Sequence, residues 1–209
     1  MKIPGMNNSV MNVICSYAVV CLLVTLVCVS ALVASAQQMA PVPAADKTNI
    51  APSRQATTIV LVRHAEKSGP EGDVPLSEAG QRRATALAWT LRSADVTRVF
   101  ATDTIRARDT AAPLARERDL RMDVVPAKDL DGLVQTLKAL PLGAIAVVVH
   151  HSNTIHAIIE KLGGGRIQPL EEADYDRLFM LTRGPDAAVA VTTLHYGASS
   201  GTRPGEPGR

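Results

Sequence analysis

The sequence predicts an α/β protein, in which helices cover both faces of a largely parallel sheet and form a three-layer α/β/α sandwich. Short apolar runs alternate along the chain with segments whose apolar residues recur at i, i+3, i+4 and i+7, the spacing of a helix with one buried face. Two of the apolar runs contain no polar alternation, which is typical of parallel strands that are buried on both faces.

The predicted elements follow one another between residues 56 and 196, which we expect to form one globular domain. The strands are predicted at Thr58–Val62, Arg98–Ala101, Ala144–Val149, Leu178–Thr182 and Ala188–Leu194. Helical spacing occurs over residues 84–91, 130–137 and 155–162, and a further helix is expected after the second strand. Because ligands of such sheets bind at the carboxyl ends of the strands, the residues that follow each strand are candidate site residues.

The N-terminal part of the chain has a different character. Lys2 precedes an uncharged apolar stretch from Val10 to Val33, and Ala34-Ser35-Ala36 follows as a small-x-small cleavage site. We therefore predict a signal peptide over residues 1–36, which places the mature protein in the periplasm or outside the cell. The alternative is an uncleaved membrane anchor with the domain facing outside, because about 20 apolar residues span a bilayer. Residues 37–55 are expected to be a flexible linker and residues 197–209 a disordered tail.

Composition argues against several functional classes. The formal net charge is +2, only 3% of residues are aromatic, and the basic residues are dispersed, so nucleic-acid binding has no support. Cys15, Cys21 and Cys28 all lie within the predicted signal peptide. The mature domain would therefore have no disulfide, no thiol nucleophile and no thiolate metal site.

Basic and histidine side chains follow three of the predicted strands. Arg63 and His64 come directly after the first strand, and Arg106 lies in the first turn of the helix after the second strand. His150 and His151 follow the third strand and precede a helix, whose free N–H groups and dipole favour an anion. These positions predict that the arginines and histidines share one crevice at the carboxyl edge of the sheet.

Four segments resemble, in order and at suitable spacing, the signatures of the histidine phosphatase (phosphoglycerate mutase-like) superfamily. They are Arg63-His64-Ala65-Glu66-Lys67, the segment 75–84 that begins Pro-Leu-Ser-Glu-Ala-Gly, Arg106-Ala107-Arg108-Asp109-Thr110-Ala111, and the late segment 147–154. The resemblance implies that His64 is the nucleophile that becomes phosphohistidine. It also implies a phosphate pocket formed by Arg63, Arg106 and His151, to which we add Ser152 as a substrate-binding residue.

The residue types suit this chemistry. An imidazole attacks phosphorus through an unprotonated nitrogen, and nearby guanidinium groups favour that neutral form. The same guanidinium groups donate in pairs to phosphate oxygens. The resemblance thus implies an exported, metal-independent phosphomonoesterase that needs no cofactor and acts on a small phosphorylated substrate. The only membrane contact we expect is through an uncleaved N-terminal segment.

The sequence departs from the family at two points. Family members commonly place an acidic proton donor after the second arginine segment, where this chain has Val124-Val125-Pro126-Ala127. The candidate donors are therefore the nearby Asp129 and Asp131, with Glu66 as a further candidate. His150 also replaces a usual glycine, and because strand neighbours face opposite sides, only one histidine of the pair can point into the pocket. The Ser-Asn-Thr that follows favours His151.

Two other functions are compatible with the sequence. A metallohydrolase could use His64, His150 and His151, although no carboxylate stands beside the histidine pair and the arginines would repel a cation. A non-catalytic phosphate-binding module is the other alternative, because no proton donor is evident. A mutase is less expected, since the domain is short.

Overall fold

The computed structural model of the protein describes residues 56–200. The predicted signal peptide or anchor, the predicted linker and residues 201–209 of the predicted tail lie outside the described residues. Within residues 56–200, no helix is both long enough and apolar enough to cross a membrane.

The described chain alternates between strands and helices, as predicted. The strands are β1 (Thr57–Arg63), β2 (Arg98–Thr102), β3 (Met122–Val125), β4 (Ile145–His150), β5 (Arg177–Arg183) and β6 (Val189–His195). The helices are α1 (Glu78–Thr90), α2 (Ile105–Glu117), α3 (Leu130–Lys138) and α4 (Ser152–Lys161). The strands form one sheet in the order β3-β2-β4-β1-β5-β6. β5 runs antiparallel to both of its neighbours, and the other pairs are parallel, so the predicted, largely parallel sheet is confirmed.

Two helices cover each face of the sheet. Val60 and Val62 of β1 belong to an apolar core with α1 and α2, whereas Ile59 and Leu61 belong to a second core with α3 and α4. This division follows from strand geometry, because successive side chains point to opposite faces. β1 and β4 lie at the centre and are almost fully buried, which confirms that their unbroken apolar runs are strands covered on both sides. The three-layer α/β/α sandwich is thus the observed fold.

Two details differ from the sequence prediction. β3 was not predicted: it is a four-residue edge strand that pairs with β2 alone and is only half buried. The boundary placed at Gly197 is too early, because Ser200 is held to the domain. Its hydroxyl accepts hydrogen bonds from the backbone N–H groups of Tyr175 and Asp176, each at 2.8 Å.

Candidate active site

A cavity of about 680 Å³ opens at the carboxyl ends of the parallel strands. The five residues predicted to hold phosphate all line it: Arg63, His64, Arg106, His151 and Ser152. The sheet brings them together because β1 and β4 are neighbours in register, with Arg63 opposite His150. The backbone N–H of His64 donates to the carbonyl of His150 at 2.8 Å, which joins the two strand ends. The rings of His64 and His151 consequently lie 5.3 Å apart.

His64 is held as a neutral ring with a defined tautomer. The side chain is buried, and its Nδ1 lies 2.8 Å from the carbonyl oxygen of Ala65. Because a carbonyl can only accept, Nδ1 carries the hydrogen and Nε2 keeps its lone pair. The pKa of His64 is lowered to about 3, chiefly by burial and also by the charge of Arg63. The arrangement leaves an unprotonated nitrogen beside the cationic groups of the cavity.

Arg63 is buried and tightly held. Its Nη1 donates to the carbonyls of Glu172 at 2.7 Å and Glu171 at 3.0 Å. Its Nη2 meets the Tyr175 hydroxyl at 3.3 Å and a carboxylate oxygen of Glu172 at 3.0 Å. The guanidinium also stacks 4.0 Å above the centre of the Tyr175 ring. All of these partners belong to the segment between α4 and β5, which therefore forms one wall of the site.

Arg106 reaches the cavity from the opposite side and is held loosely. It lies in the first turn of α2, where its Nη1 is 3.4 Å from the carboxylate of Asp73 and 3.5 Å from the carbonyl of Gly72. The same carboxylate accepts from the backbone N–H of Ile105 at 2.8 Å, so Asp73 also caps the start of α2.

The two arginines share one unusual feature. The Nε of Arg63 and the Nε of Arg106 are both buried and have no hydrogen-bond partner among the described residues. An unpaired buried donor on a charged group is costly, and most such groups in proteins are satisfied. Because both arginines line the cavity, an anion bound there could pair with these N–H groups. The donor set fits a tetrahedral oxyanion.

The two late histidines have different surroundings. His151 lines the cavity, and its Nε2 lies 3.1 Å from the hydroxyl of Thr102 at the end of β2. His150 is fully buried in β4, with its Nδ1 2.6 Å from the Thr154 hydroxyl, and it does not line the cavity. Burial is the main cause that lowers the pKa of each ring to about 4. The structure thus distinguishes the two histidines in the way that strand alternation predicted.

The segments that resemble the family signatures also contact one another in the structure. The hydroxyl of Thr110 accepts from the backbone N–H of Ala65 at 2.9 Å and donates to the carbonyl of Arg106 at 2.7 Å, which fastens α2 to the strand end after His64. A Cβ on Gly80 would lie 2.2 Å from the carbonyl oxygen of Glu66. Position 80 therefore requires glycine for α1 to approach the loop that follows His64.

The acids named as candidate proton donors lie elsewhere. Asp129 caps α3 by accepting from the backbone N–H of Gly132, and Asp131 forms an ion pair with Lys161 at 2.8 Å. Both carboxylate oxygens of Glu66 accept from Arg83 at 3.0 Å. None of the three lines the cavity, so the structure gives no support to any of them as donor. Each carboxylate instead forms a helix cap or an ion pair within the domain. The spacing of acids along a sequence does not reveal such contacts.

Sequence reasoning missed three polar residues near His64. Glu172 and Lys128 line the cavity, and the ring of Tyr175 lies 6.3 Å from that of His64. Lys128 follows β3, the strand that was not predicted. Glu172 and Tyr175 belong to the segment before β5, which has neither helical period nor recognisable signature. Their contact with Arg63, more than 100 residues away, is the signal that locates them.

The alternative of a histidine metal centre has no ligand set in the part of the chain that is described. His150 does not line the cavity that His64 and His151 line. No group of three histidine, cysteine or acidic side chains in residues 56–200 is arranged to hold a metal ion.

Comparison with known proteins supports the resemblance found in the sequence. The family model described as histidine phosphatase superfamily (branch 1) matches residues 59–134, which include the first three of the four segments; the late segment at 147–154 lies beyond the match. No curated protein matches the sequence closely enough to count as a relative.

Solved structures share the fold. A protein histidine phosphatase, SixA, complexed with tungstate has a TM-score of 0.56 at 17% identity, covering 66% of this chain and 96% of that one. A putative α-ribazole-5′-P phosphatase from Escherichia coli has a TM-score of 0.55 at 15% identity, with the same two coverages. A mycobacterial glucosyl-3-phosphoglycerate phosphatase with inorganic phosphate reaches 0.54 at 19% identity, covering 68% of this chain and 97% of that one. Such low identities establish the fold alone. Together with the match over residues 59–134, they show that this chain resembles the histidine phosphatase superfamily.

Proposed function

We propose that the protein is a phosphomonoesterase that works through a phosphohistidine intermediate at His64. The observation that carries the proposal is the neutral imidazole of His64, with Nδ1 bonded to the Ala65 carbonyl, beside two arginines whose buried Nε atoms have no partner among the described residues. Phosphate oxygens would supply the missing acceptors. The solved structures with tungstate and inorganic phosphate are proteins of the same fold, which supports an oxyanion ligand here as well.

The chemistry has two displacements at phosphorus. In the first, the Nε2 lone pair of His64 attacks, the phosphorus–oxygen bond to the substrate breaks, and the leaving oxygen takes up a proton. In the second, water attacks the phosphohistidine, the phosphorus–nitrogen bond breaks, and inorganic phosphate leaves. Arg63 and Arg106 neutralise the oxygens on phosphorus throughout, because preorganised donors in a protected site stabilise the transition state.

Cationic side chains make a divalent metal ion unnecessary for this charge neutralisation. Arg63, Lys67, Arg106 and Lys128 all line the cavity, against a single carboxylate, that of Glu172, among the described lining residues. We therefore propose a metal-independent reaction whose substrate is a small phosphorylated molecule.

We also propose that the enzyme is exported. The support is the apolar stretch from Val10 to Val33 and the small-x-small site at Ala34-Ser35-Ala36. The N-terminus of the protein isolated from its host tests this proposal: Gln37 is expected after cleavage, whereas an intact Met1 in the membrane fraction would indicate an anchor, and an intact Met1 in the cytosol would contradict export.

Loss of the nucleophile tests the catalytic proposal. We expect His64→Ala to lower kcat/KM for an activated aryl phosphate by about 10⁴-fold or more, because the covalent route is lost. The native enzyme, quenched rapidly after mixing with labelled substrate, should carry acid-labile phosphate on His64. Activity should survive EDTA. Turnover by the alanine variant within a few-fold of native would contradict the assignment, and binding of phosphate with neither turnover nor a phosphoenzyme would favour a non-catalytic phosphate-binding module.

A further inference from the structure

The acid that the sequence did not reveal has a candidate in the wall of the cavity. Among the described residues that line the cavity, Glu172 alone carries a carboxylate. It belongs to the segment between α4 and β5, far in sequence from the positions at which a donor was expected. Its carboxylate oxygen lies 3.0 Å from Nη2 of Arg63 and 4.0 Å from Nζ of Lys67.

The backbone of Glu172 is fixed, whereas its side chain faces outward. The carbonyl of Glu172 accepts from the buried Nη1 of Arg63 at 2.7 Å, yet the side chain is 75% exposed. His64, in contrast, is only 4% exposed and attacks from the floor of the cavity. Since the attacking and leaving atoms lie roughly in line at phosphorus, the leaving oxygen faces the open side. Glu172 is therefore on the side of the cavity from which the leaving group departs.

Substrate binding changes the charge around this carboxylate. In the free protein, the Glu172 carboxylate lies beside two cations, Arg63 and Lys67. A phosphate dianion bound to Arg63 would partly neutralise that guanidinium and place negative charge next to Glu172. A carboxyl group in this position can pass a proton to the leaving oxygen and is suited to act as a general acid.

We propose, on the basis of the proposed phosphatase function, that Glu172 is the proton donor to the leaving group. As the phosphorus–oxygen bond breaks, the Glu172 carboxyl group transfers its proton to the leaving oxygen and becomes a carboxylate. That carboxylate then accepts a proton from the water that attacks the phosphohistidine. The phosphorus–nitrogen bond breaks, phosphate leaves, and Glu172 is protonated again for the next cycle.

Other proton-bearing groups near the site are less suited to this role. The Tyr175 hydroxyl contacts Nη2 of Arg63, does not line the cavity, and burial raises its pKa above the usual range. Lys67 donates to the carbonyl of Pro70 at 2.8 Å. Lys128 lines the cavity from the opposite loop and serves as the comparison in the test below.

Activity on esters whose leaving groups differ in acidity shows whether Glu172 donates a proton or only forms an ion pair with Arg63. An alkoxide needs a proton to leave, whereas p-nitrophenolate does not. We expect Glu172→Gln to lower kcat/KM for an alkyl phosphomonoester by about 100-fold or more, and for p-nitrophenyl phosphate by less than about threefold. The glutamine keeps the size of the side chain and loses the transferable proton. Because hydrolysis of the phosphoenzyme also slows, this variant should release a burst of p-nitrophenolate.

Two variants provide the comparison. Glu71→Gln makes the same change of charge at an exposed acid that does not line the cavity, and both esters should be hydrolysed at the native rate. Lys128→Met tests the other group on the open side. Equal losses on both esters in Glu172→Gln, a native enzyme inactive on alkyl esters, or a loss confined to alkyl esters in Lys128→Met would each overturn the proposal. Failure of the phosphatase function itself would appear separately, as absence of phosphate on His64 in the native enzyme.

Discussion

The two arginines of the cavity show two different ways of holding a cation beside a nucleophile. Arg63, at the end of β1, is 2% exposed and is fixed by backbone carbonyls and by the face of Tyr175. Arg106, in the first turn of α2, is 19% exposed and has contacts of 3.4 and 3.5 Å with the loop around Asp73. Each nevertheless keeps a buried Nε without a partner in the described chain.

The difference has an energetic consequence. A donor that is already fixed loses little conformational entropy when a ligand arrives, whereas a mobile side chain pays about 0.5–1.5 kcal/mol to become ordered. Arg63 is therefore the preorganised half of the proposed oxyanion site, and we expect Arg106 to be the half that adjusts to the substrate. Replacing the buried Arg63 should also lower the stability of the fold, because the carbonyl groups that accept from it would lose their donor.

Replacing each arginine by lysine tests this division most strongly. Arg63→Lys should lower kcat/KM for an aryl phosphate by about 10³-fold, because one ammonium cannot replace a fixed fork of donors, and Arg106→Lys by about 10- to 100-fold. Only the first change should also lower the free energy of unfolding, by about 1–3 kcal/mol. Steady-state kinetics and urea denaturation measure both effects. Equal kinetic losses with no loss of stability would contradict the division.

The dependence of stability on acid pH should show that the three histidines near the arginines are buried as neutral rings. His64, His150 and His151 have pKa values lowered to about 3, 4 and 4, chiefly by burial. Between these values and about 6.5 the unfolded chain binds more protons than the folded chain. The free energy of unfolding should therefore fall as the pH drops below about 6.5, by up to about 1.4 kcal/mol per pH unit for each histidine, and should be constant above it.

The comparison variant for this measurement is Arg106→Met, which removes one charge. Arg106 is the largest charged contributor to the lowered pKa of His151, whereas Arg63 is the largest for His64. We expect the fall in stability between pH 7 and pH 5 to be smaller in Arg106→Met, because the pKa of His151 moves back toward its ordinary value. A native protein whose stability is the same at both pH values would show that these rings are not buried as neutral groups.

The smallest effect on kinetics is expected from removing the charge of Asp73, which contacts the more loosely held Arg106. Asp73→Asn should raise KM about two- to fivefold with kcat nearly unchanged, because Arg106 loses a charged partner that orients it at the surface. Asn still caps helices well, so the start of α2 should persist. Asp95→Asn, an exposed acid outside the cavity, is the control. A large fall in kcat would indicate that Asp73 has a role in the chemistry itself.

The sequence sufficed for the parts of the fold and site that depend on local pattern. Periodicity located three helices and five strands, a fourth helix was expected after the second strand, and the residues directly after β1, β2 and β4 proved to line one cavity. β3 escaped prediction because Met122–Val125 is a short, half-exposed edge strand with a charged residue inside it. Glu172 and Tyr175 were not predicted as site residues because no local sequence pattern indicates them. They reach the site only since β5 pairs antiparallel with β1 in the finished sheet.

The anchoring of Arg63 has a consequence for the order in which the protein is made. The carbonyls and the aromatic ring that hold this arginine follow it by 108 to 112 residues. A ribosome therefore synthesises all four signature segments before it synthesises the groups that fix the first of them. A truncated product that ends before residue 171 would carry every segment by which the family is recognised, and its first arginine would have none of these anchors. Proteolytic loss of the chain from residue 171 onward should thus abolish activity even though each signature survives.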